Sequence, residues 1–128
     1  RSPQWTHGGV VFAPTPRDYS FKLNKKEKRI ALKSALTSKV QDGKVMVLDE
    51  LKLDEIKTKK FQEVLTNLNA KKALVVIKEN DKNIVLSARN IPDAQTIIAD
   101  SINVYDIMKA GTVVLTKDSV ATIEEVYA

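Results

Sequence analysis

The sequence contains no cysteine, a single histidine and few aromatic residues. The absence of cysteine excludes disulfides, thiolate nucleophiles and cysteine-ligated zinc, and it suits a reducing compartment. A Ser-His-Asp triad would have to use His7, which lies in a loop-like segment, and no group of histidines indicates a metal site. Only 5% of the residues are aromatic, so the core has to be built from aliphatic side chains.

Long apolar runs are also missing. No run approaches the roughly 20 residues of a membrane-spanning helix, and the first residues lack the charged-then-apolar layout of a signal peptide. We therefore expect no membrane partner. A length of 128 residues is that of one domain and is enough to bury a core. The chain opens on Arg1 instead of Met, within a basic, loop-like sequence, so we expect a fragment of a longer protein.

The charge is distributed unevenly along the chain. Residues 1–41 contain nine basic and two acidic residues, a net charge of +7. Residues 42–128 contain twelve basic and fourteen acidic residues, a net charge of −2. The whole excess of +5, with a pI near 9.4, is thus produced by the first third of the chain. This asymmetry favours a nucleic-acid or other polyanionic partner.

Residues 1–23 form the segment that we call the arm. Pro3, Pro14, Pro16 and the pair Gly8-Gly9 interrupt both helix and strand, so this segment is expected to be extended and rich in turns. It is too apolar for an ordinary solvated linker, with aromatic and branched residues throughout. Two interpretations remain open from the residues alone, an arm that packs back on its own domain and an arm that a partner orders.

A helix is predicted to follow the arm. Asn24 is a suitable N-cap, Glu27 completes a capping box, and Gly43 is a typical stop after a helix that reaches about Val40. A small-residue face and a second apolar face that includes Val40 predict burial on two sides in the C-terminal half. The N-terminal half is dense in lysine and is predicted to project into solvent, with cations at the positive end of the helix dipole.

The remainder of the chain alternates apolar runs of strand length with helical periodicity. Strands are predicted at 45–48, 73–77, 96–99 and 112–115. Helices are predicted at 57–69, at 84–91 before Pro92 (with a strand as the alternative), at 103–110, and from Thr116 onward with Val120, Ile123 and Tyr127 inward. This alternation predicts an α/β fold, an open doubly wound parallel sheet of about four strands, Rossmann-like, behind an extended basic N-terminal arm. The predicted division is residues 1–23 as an RNA-binding loop arm and 24–128 as the globular domain.

The predicted globular domain offers little for chemistry. Ligands of such folds bind at the carboxyl ends of the strands, but the turns after the first two strands contain no glycine, and no phosphate-binding glycine motif is present. Asp49 and Glu50 are the best acidic pair, and an enzyme that uses nucleotides or phosphate there is the alternative function. The simpler interpretation is that these acids cap or solvate their turn. We expect no catalytic residue, no metal, no cofactor and no small-molecule substrate.

The arm and the start of the helix have the chemistry of an RNA-binding surface. Cations bind phosphates, arginine can do so in a bidentate manner, and exposed aromatic rings can stack on unpaired bases. A protein–protein module that uses the apolar residues of the arm is a further alternative. The candidate RNA-binding residues, with Arg1, Arg17 and Arg29 as preferred anchors, are Arg1, Trp5, His7, Arg17, Tyr19, Lys22, Lys25, Lys26, Lys28, Arg29 and Lys33.

Several motifs resemble one protein family. RSPQW at 1–5, GGVVF at 8–12, PRDYS at 16–20, LNKK at 23–26 and ALKSAL at 31–36 closely resemble the bacterial form of the large-subunit ribosomal protein L4 family. VLDELKL at 47–53, KTK at 57–59, LSARNIP at 86–92, NVYDI at 103–107 and VVLTK at 113–117 follow in the family's order. The resemblance covers essentially all 128 residues of the chain. The family also has an N-terminal portion and a loop tip, and neither has a counterpart in this sequence.

The resemblance implies a structural, non-enzymatic role in the ribosome, in the cytoplasm. Residues 1 to about 20 would be the returning half of a long loop that threads through large-subunit rRNA, with its tip at the peptide exit tunnel. The implied partners are large-subunit rRNA, other large-subunit ribosomal proteins and, in some bacteria, the mRNA of the protein's own operon. A role in early subunit assembly is implied as well.

Overall fold

A computed structural model of the chain describes residues 1–127. The elements in chain order are α1 (Lys25–Gln41), β1 (Val45–Leu48), α2 (Thr58–Asn67), β2 (Ala73–Ile77), α3 (Lys82–Ala88), β3 (Ala94–Ile98), a 3-10 turn (Ala99–Ser101), α4 (Val104–Lys109), β4 (Thr112–Thr116) and α5 (Lys117–Tyr127). No helix within residues 1–127 is both long enough and apolar enough to cross a membrane.

The strands form one sheet in the order β1-β4-β2-β3, and every neighbouring pair is parallel. The two central strands, β2 and β4, pair directly, with Val75 opposite Val114. All five residues of β2 are buried, which explains its uninterrupted apolar sequence, since a central parallel strand is covered on both faces. The predicted α/β fold with an open parallel sheet of four strands is confirmed.

Helices cover both faces of the sheet, and each face has its own core. On one face, α1, α4 and α5 pack over a cluster that contains Leu32, Ile107 and Val113. On the other face, α2 and α3 pack over a cluster that contains Phe61 and Ile84. Alternate residues of the central strands supply the two clusters, because successive side chains of a strand point to opposite faces. Both clusters are almost wholly aliphatic, as the composition predicts.

Local signals explain most helix ends. The backbone N–H of Asn24 donates to Glu27 Oε2 at 3.1 Å, and Gly43 leaves α1 with φ of 66°. The segment for which the sequence allowed either a strand or a helix is the helix α3. At its start, the Asp81 carboxylate accepts a hydrogen bond from the N–H of Asn83 at 2.8 Å. Asn103 caps α4 in the same way, and Thr116 Oγ1 accepts from the N–H of Ser119 at the start of α5.

The prediction that the C-terminal half of α1 is buried on two sides is wrong. Its buried residues are Leu32, Ala35 and Lys39, which form a single stripe at helical spacing. Val40, from the second apolar face, is 62% exposed, and Ser34 and Ser38, from the small-residue face, are exposed as well. Helix α1 lies over the sheet beside α4. Only the side of α1 that faces these elements is covered, so its other sides stay exposed.

Candidate nucleic-acid interface

The arm has neither helix nor strand, and its side chains lie in solvent. Regular secondary structure begins only at Lys25, and every arm residue except Gly8 is exposed. Trp5 is 66% exposed and Phe12 is 93% exposed, and the side chains of Tyr19 and Phe21 are similarly open to solvent. The arm therefore presents aromatic surface to solvent instead of packing it against the sheet.

The first nine residues form a closed turn, which we call the N-terminal turn. The N–H of Trp5 donates to Ser2 O at 3.1 Å, and the N–H of Gly8 donates to Trp5 O at 2.8 Å. The N–H of Gly9 then donates to Arg1 O at 3.3 Å and closes the segment. His7 lies inside this turn with φ of 60°, and its predicted contact with RNA stays a prediction.

Arg17 and Tyr19 are brought together. The guanidinium carbon of Arg17 lies 4.3 Å from the centroid of the Tyr19 ring, which is within the range of a cation–π contact. Between them, the Asp18 carboxylate accepts from both the N–H and the hydroxyl of Ser20, each at 2.8 Å. These two hydrogen bonds lower the pKa of Asp18, and the bond from the backbone N–H has the larger effect. The result is an exposed pair of a cation and an aromatic ring, beside an Asp18 carboxylate that is hydrogen-bonded to Ser20.

The start of α1 continues this surface. The side chains of Lys22, Lys25, Lys26, Lys28, Arg29 and Lys33 are all exposed. The ion pairs within residues 1–127 involve Lys44, Lys52, Lys57 and Lys60, so none of the candidate cations is neutralised by a carboxylate there. Repulsion among these cations, and between them and the helix dipole, is relieved when an anion binds. The chain from Arg1 to Lys33 thus contains eight lysine and arginine side chains that are exposed and have no ion-pair partner within residues 1–127, against two acids, Asp18 and Glu27.

The carboxyl edge of the sheet, where α/β enzymes bind ligands, holds an open cleft of about 470 Å³. Asp49 and Glu50 line it. Glu50 forms an ion pair with Lys52. The hydrogen bond within this pair, together with the negative charge of Glu50, raises the pKa of Lys52. Asp81, also in the lining, is engaged as the cap of α3. Within residues 1–127 the structure contains no group of three metal-binding side chains. Glu50 and Asp81 are engaged locally, in an exposed ion pair and a helix cap.

Lys39 belongs to the core and was not identified from the sequence. Its side chain is 8% exposed, and Nζ donates to Ala110 O at 2.7 Å. The available signal was periodicity, since Lys39 follows Leu32 and Ala35 at the spacing of one helix face. This lysine counts toward the charge of the first third, yet it joins α1 to the end of α4 and lies outside the basic surface.

Comparison with known proteins gives a consistent result over the full chain. A sequence model of the "Ribosomal protein L4/L1 family" matches residues 1–126. The "Large ribosomal subunit protein uL4" of Agathobacter rectalis is 69% identical over 128 residues, all of this chain and 62% of that protein. The proteins of the same name from Lachnospira eligens and Lachnoclostridium phytofermentans are 65% and 64% identical over the same shares. The chain spans 62% of the length of these curated relatives, and it belongs to the ribosomal protein L4/L1 family.

Proposed function

We propose that this chain is part of a structural component of the large ribosomal subunit that binds large-subunit rRNA and has no catalytic activity. The observation that supports this most directly is the exposed basic and aromatic segment of residues 1–33, whose cations have no carboxylate partners within residues 1–127. Family membership and the name of the relatives favour the large subunit as its location, in the cytoplasm.

The two parts of the chain have different tasks in this proposal. Arg1, Arg17 and Arg29 bind phosphates, and the lysines of α1 add to the counterion release that drives such binding. Trp5 and the Arg17–Tyr19 pair contact unpaired bases. The sheet and its helices hold the start of α1 in place through Leu32 and Ala35, so that the basic segment emerges from a rigid support.

The longer protein extends this role. We propose that the arm is one half of a loop that reaches the peptide exit tunnel, and that rRNA contacts along it help early assembly of the subunit. Other large-subunit ribosomal proteins are the expected protein partners. Binding to the mRNA of the protein's own operon would use the same phosphate-binding cations, because that mRNA presents the same backbone chemistry.

Salt-dependent binding to large-subunit rRNA tests the proposal. Each phosphate contact contributes about 0.7 to the log–log slope for single strands and about 0.9 for duplex DNA, so eight cations predict a slope of up to roughly 6 for single strands and roughly 7 for a duplex. Changing Arg17 and Arg29 together to Ala should weaken binding roughly a hundredfold or more at low salt, since each charged hydrogen bond contributes about 1.5–3 kcal/mol and every 1.4 kcal/mol corresponds to about tenfold in affinity. Filter binding measures both quantities.

The matched control changes the same amount of charge elsewhere. Lys52 and Lys57 are already paired with carboxylates on the globular part, so replacing both with Ala should leave the affinity within about twofold. An affinity that is independent of salt, or an equal loss in both double variants, would contradict rRNA binding through the arm.

A further inference from the structure

The N-terminal turn has the construction of a preformed element. Pro3 occupies the second position of its first reverse turn, where its fixed φ is favoured. His7 occupies the third position of the next one with φ of 60°, the conformation that a type II turn requires at that position. Three backbone hydrogen bonds, from Trp5, Gly8 and Gly9, close the nine residues on themselves. The turn is thus held by its own backbone, without support from the sheet.

The two adjacent glycines face different steric demands. A Cβ on Gly8 would lie 2.2 Å from Ser2 O and 2.7 Å from Trp5 O, distances that no side chain can occupy. A Cβ on Gly9 would meet only Arg1 O at 3.7 Å, an ordinary contact. Closure of the turn therefore depends on glycine at position 8, and position 9 tolerates a methyl group.

The closed turn presents Trp5 to solvent. An indole that is 66% exposed leaves a large apolar area uncovered, although Trp usually buries most of its surface. The stretch of sequence that contains Trp5 is basic, since residues 1–17 include Arg1 and Arg17 and no acidic residue before Asp18. A polyanion that offers flat aromatic faces matches both features, and a single-stranded segment of RNA has this chemistry. Duplex RNA has the same phosphates but keeps its base faces stacked.

We propose that the N-terminal turn is a preformed stacking platform on which the Trp5 indole receives an unpaired nucleobase of RNA. Gly8 sets the geometry of the platform, and the nearby cations hold the adjoining phosphates. Because the turn is already closed, little conformational freedom is lost when the base docks, which strengthens binding. This inference rests on the proposed rRNA binding and adds the preformed geometry of the turn, which depends on glycine at position 8.

Fluorescence of Trp5, the only tryptophan, reports on the platform directly. Titration of the 128-residue chain with a single-stranded oligoribonucleotide should quench its emission, and a duplex of the same phosphate count should bind with little quenching. Trp5→Ala should weaken binding of the single strand about tenfold, which corresponds to about 1.4 kcal/mol and lies within the range of base–aromatic stacking. Trp5→Phe should recover part of that loss.

Gly8→Ala and Gly9→Ala form the matched pair. The first should reduce single-strand affinity and quenching severalfold, the second should leave both unchanged, and both variants should unfold at the temperature of the original chain. Equal behaviour of the two variants, or RNA binding that leaves Trp5 emission unchanged, would overturn the platform while leaving rRNA binding in place. Absence of any RNA binding would overturn the proposed function itself.

Discussion

Two lysines of α1 have the same side chain and opposite environments. Lys33 is exposed on the basic surface, whereas Lys39 is buried with Nζ 2.7 Å from Ala110 O. A buried ammonium group is tolerated only when its donors are satisfied. Ala110 is the C-cap of α4, so the cation sits at the end of a helix where carbonyl groups and the dipole favour positive charge. The hydrogen bond thereby connects α1 with α4.

Replacing Lys39 with Met should lower the free energy of unfolding by about 1–3 kcal/mol, because the carbonyl of Ala110 loses a charged donor while most of the packing volume is retained. Lys33→Met removes the same charge from the surface and should change stability by less than about 0.5 kcal/mol. Urea denaturation followed by circular dichroism measures both. A Lys39→Met variant as stable as the original chain would show that the hydrogen bond contributes nothing.

The sequence indicates the stripe to which Lys39 belongs but not its burial. Lysine is almost never fully buried without a partner, and the partner here lies 71 residues away in the chain. No local pattern connects these two positions. The same holds for Gly8, whose pairing with Gly9 predicts a turn, while only the three-dimensional closure reveals which of the two glycines is required.

The two ends of α1 lie in different surroundings. Its first turns project the basic segment into solvent, and its later turns place Leu32 and Ala35 in the core. The C-terminal end leads through Gly43, with φ of 66°, directly into β1. Gly43 therefore fixes where the helix stops and the sheet begins, and a methyl group there would have open space around it.

Gly43→Ala should destabilise the fold by about 1 kcal/mol through backbone strain alone, since an L residue is disfavoured in the left-handed region and the entropic gain offsets only part of the strain. Gly43→Asn is the control, because asparagine adopts this conformation more readily and should lose less. Thermal or urea unfolding compares the two. Equal stability of the alanine variant and the original chain would show that the helix end relaxes into another conformation.

The elements themselves were largely predictable, because their signals are local. Asn24, Gly43, Asn103 and Thr116 mark helix ends through contacts with residues three or four positions away, and the apolar runs mark the strands. The position of β4 between β1 and β2 was not predictable, since all central strands have similar apolar sequences and their pairing is decided across the whole sheet. The burial of α1 on one side alone depends on that same arrangement.

The first third of the chain differs from the remainder both in net charge and in burial. The first 41 residues hold a net charge of +7 and the remaining residues −2. The buried clusters begin at Leu32 and extend through the four strands, while residues 1–31 contribute no buried side chain. Stability therefore resides in the sheet and its helices, to which residues 1–31 add no buried side chain. Whether residues 1–23 and 24–128 behave as an arm and a globular domain stays a prediction.

Limited proteolysis tests that division. Trypsin should cut the free chain first after Arg17 and Lys22, because protease sites are cleaved fastest where the backbone is exposed and free of helix or strand. Lys39 should resist, since it is buried within α1. Bound large-subunit rRNA should slow cleavage at Arg17, and high salt, which releases the RNA, should restore it. Mass spectrometry of the fragments identifies each site, and early cuts between β1 and α5 would show that the globular part is not a stable unit.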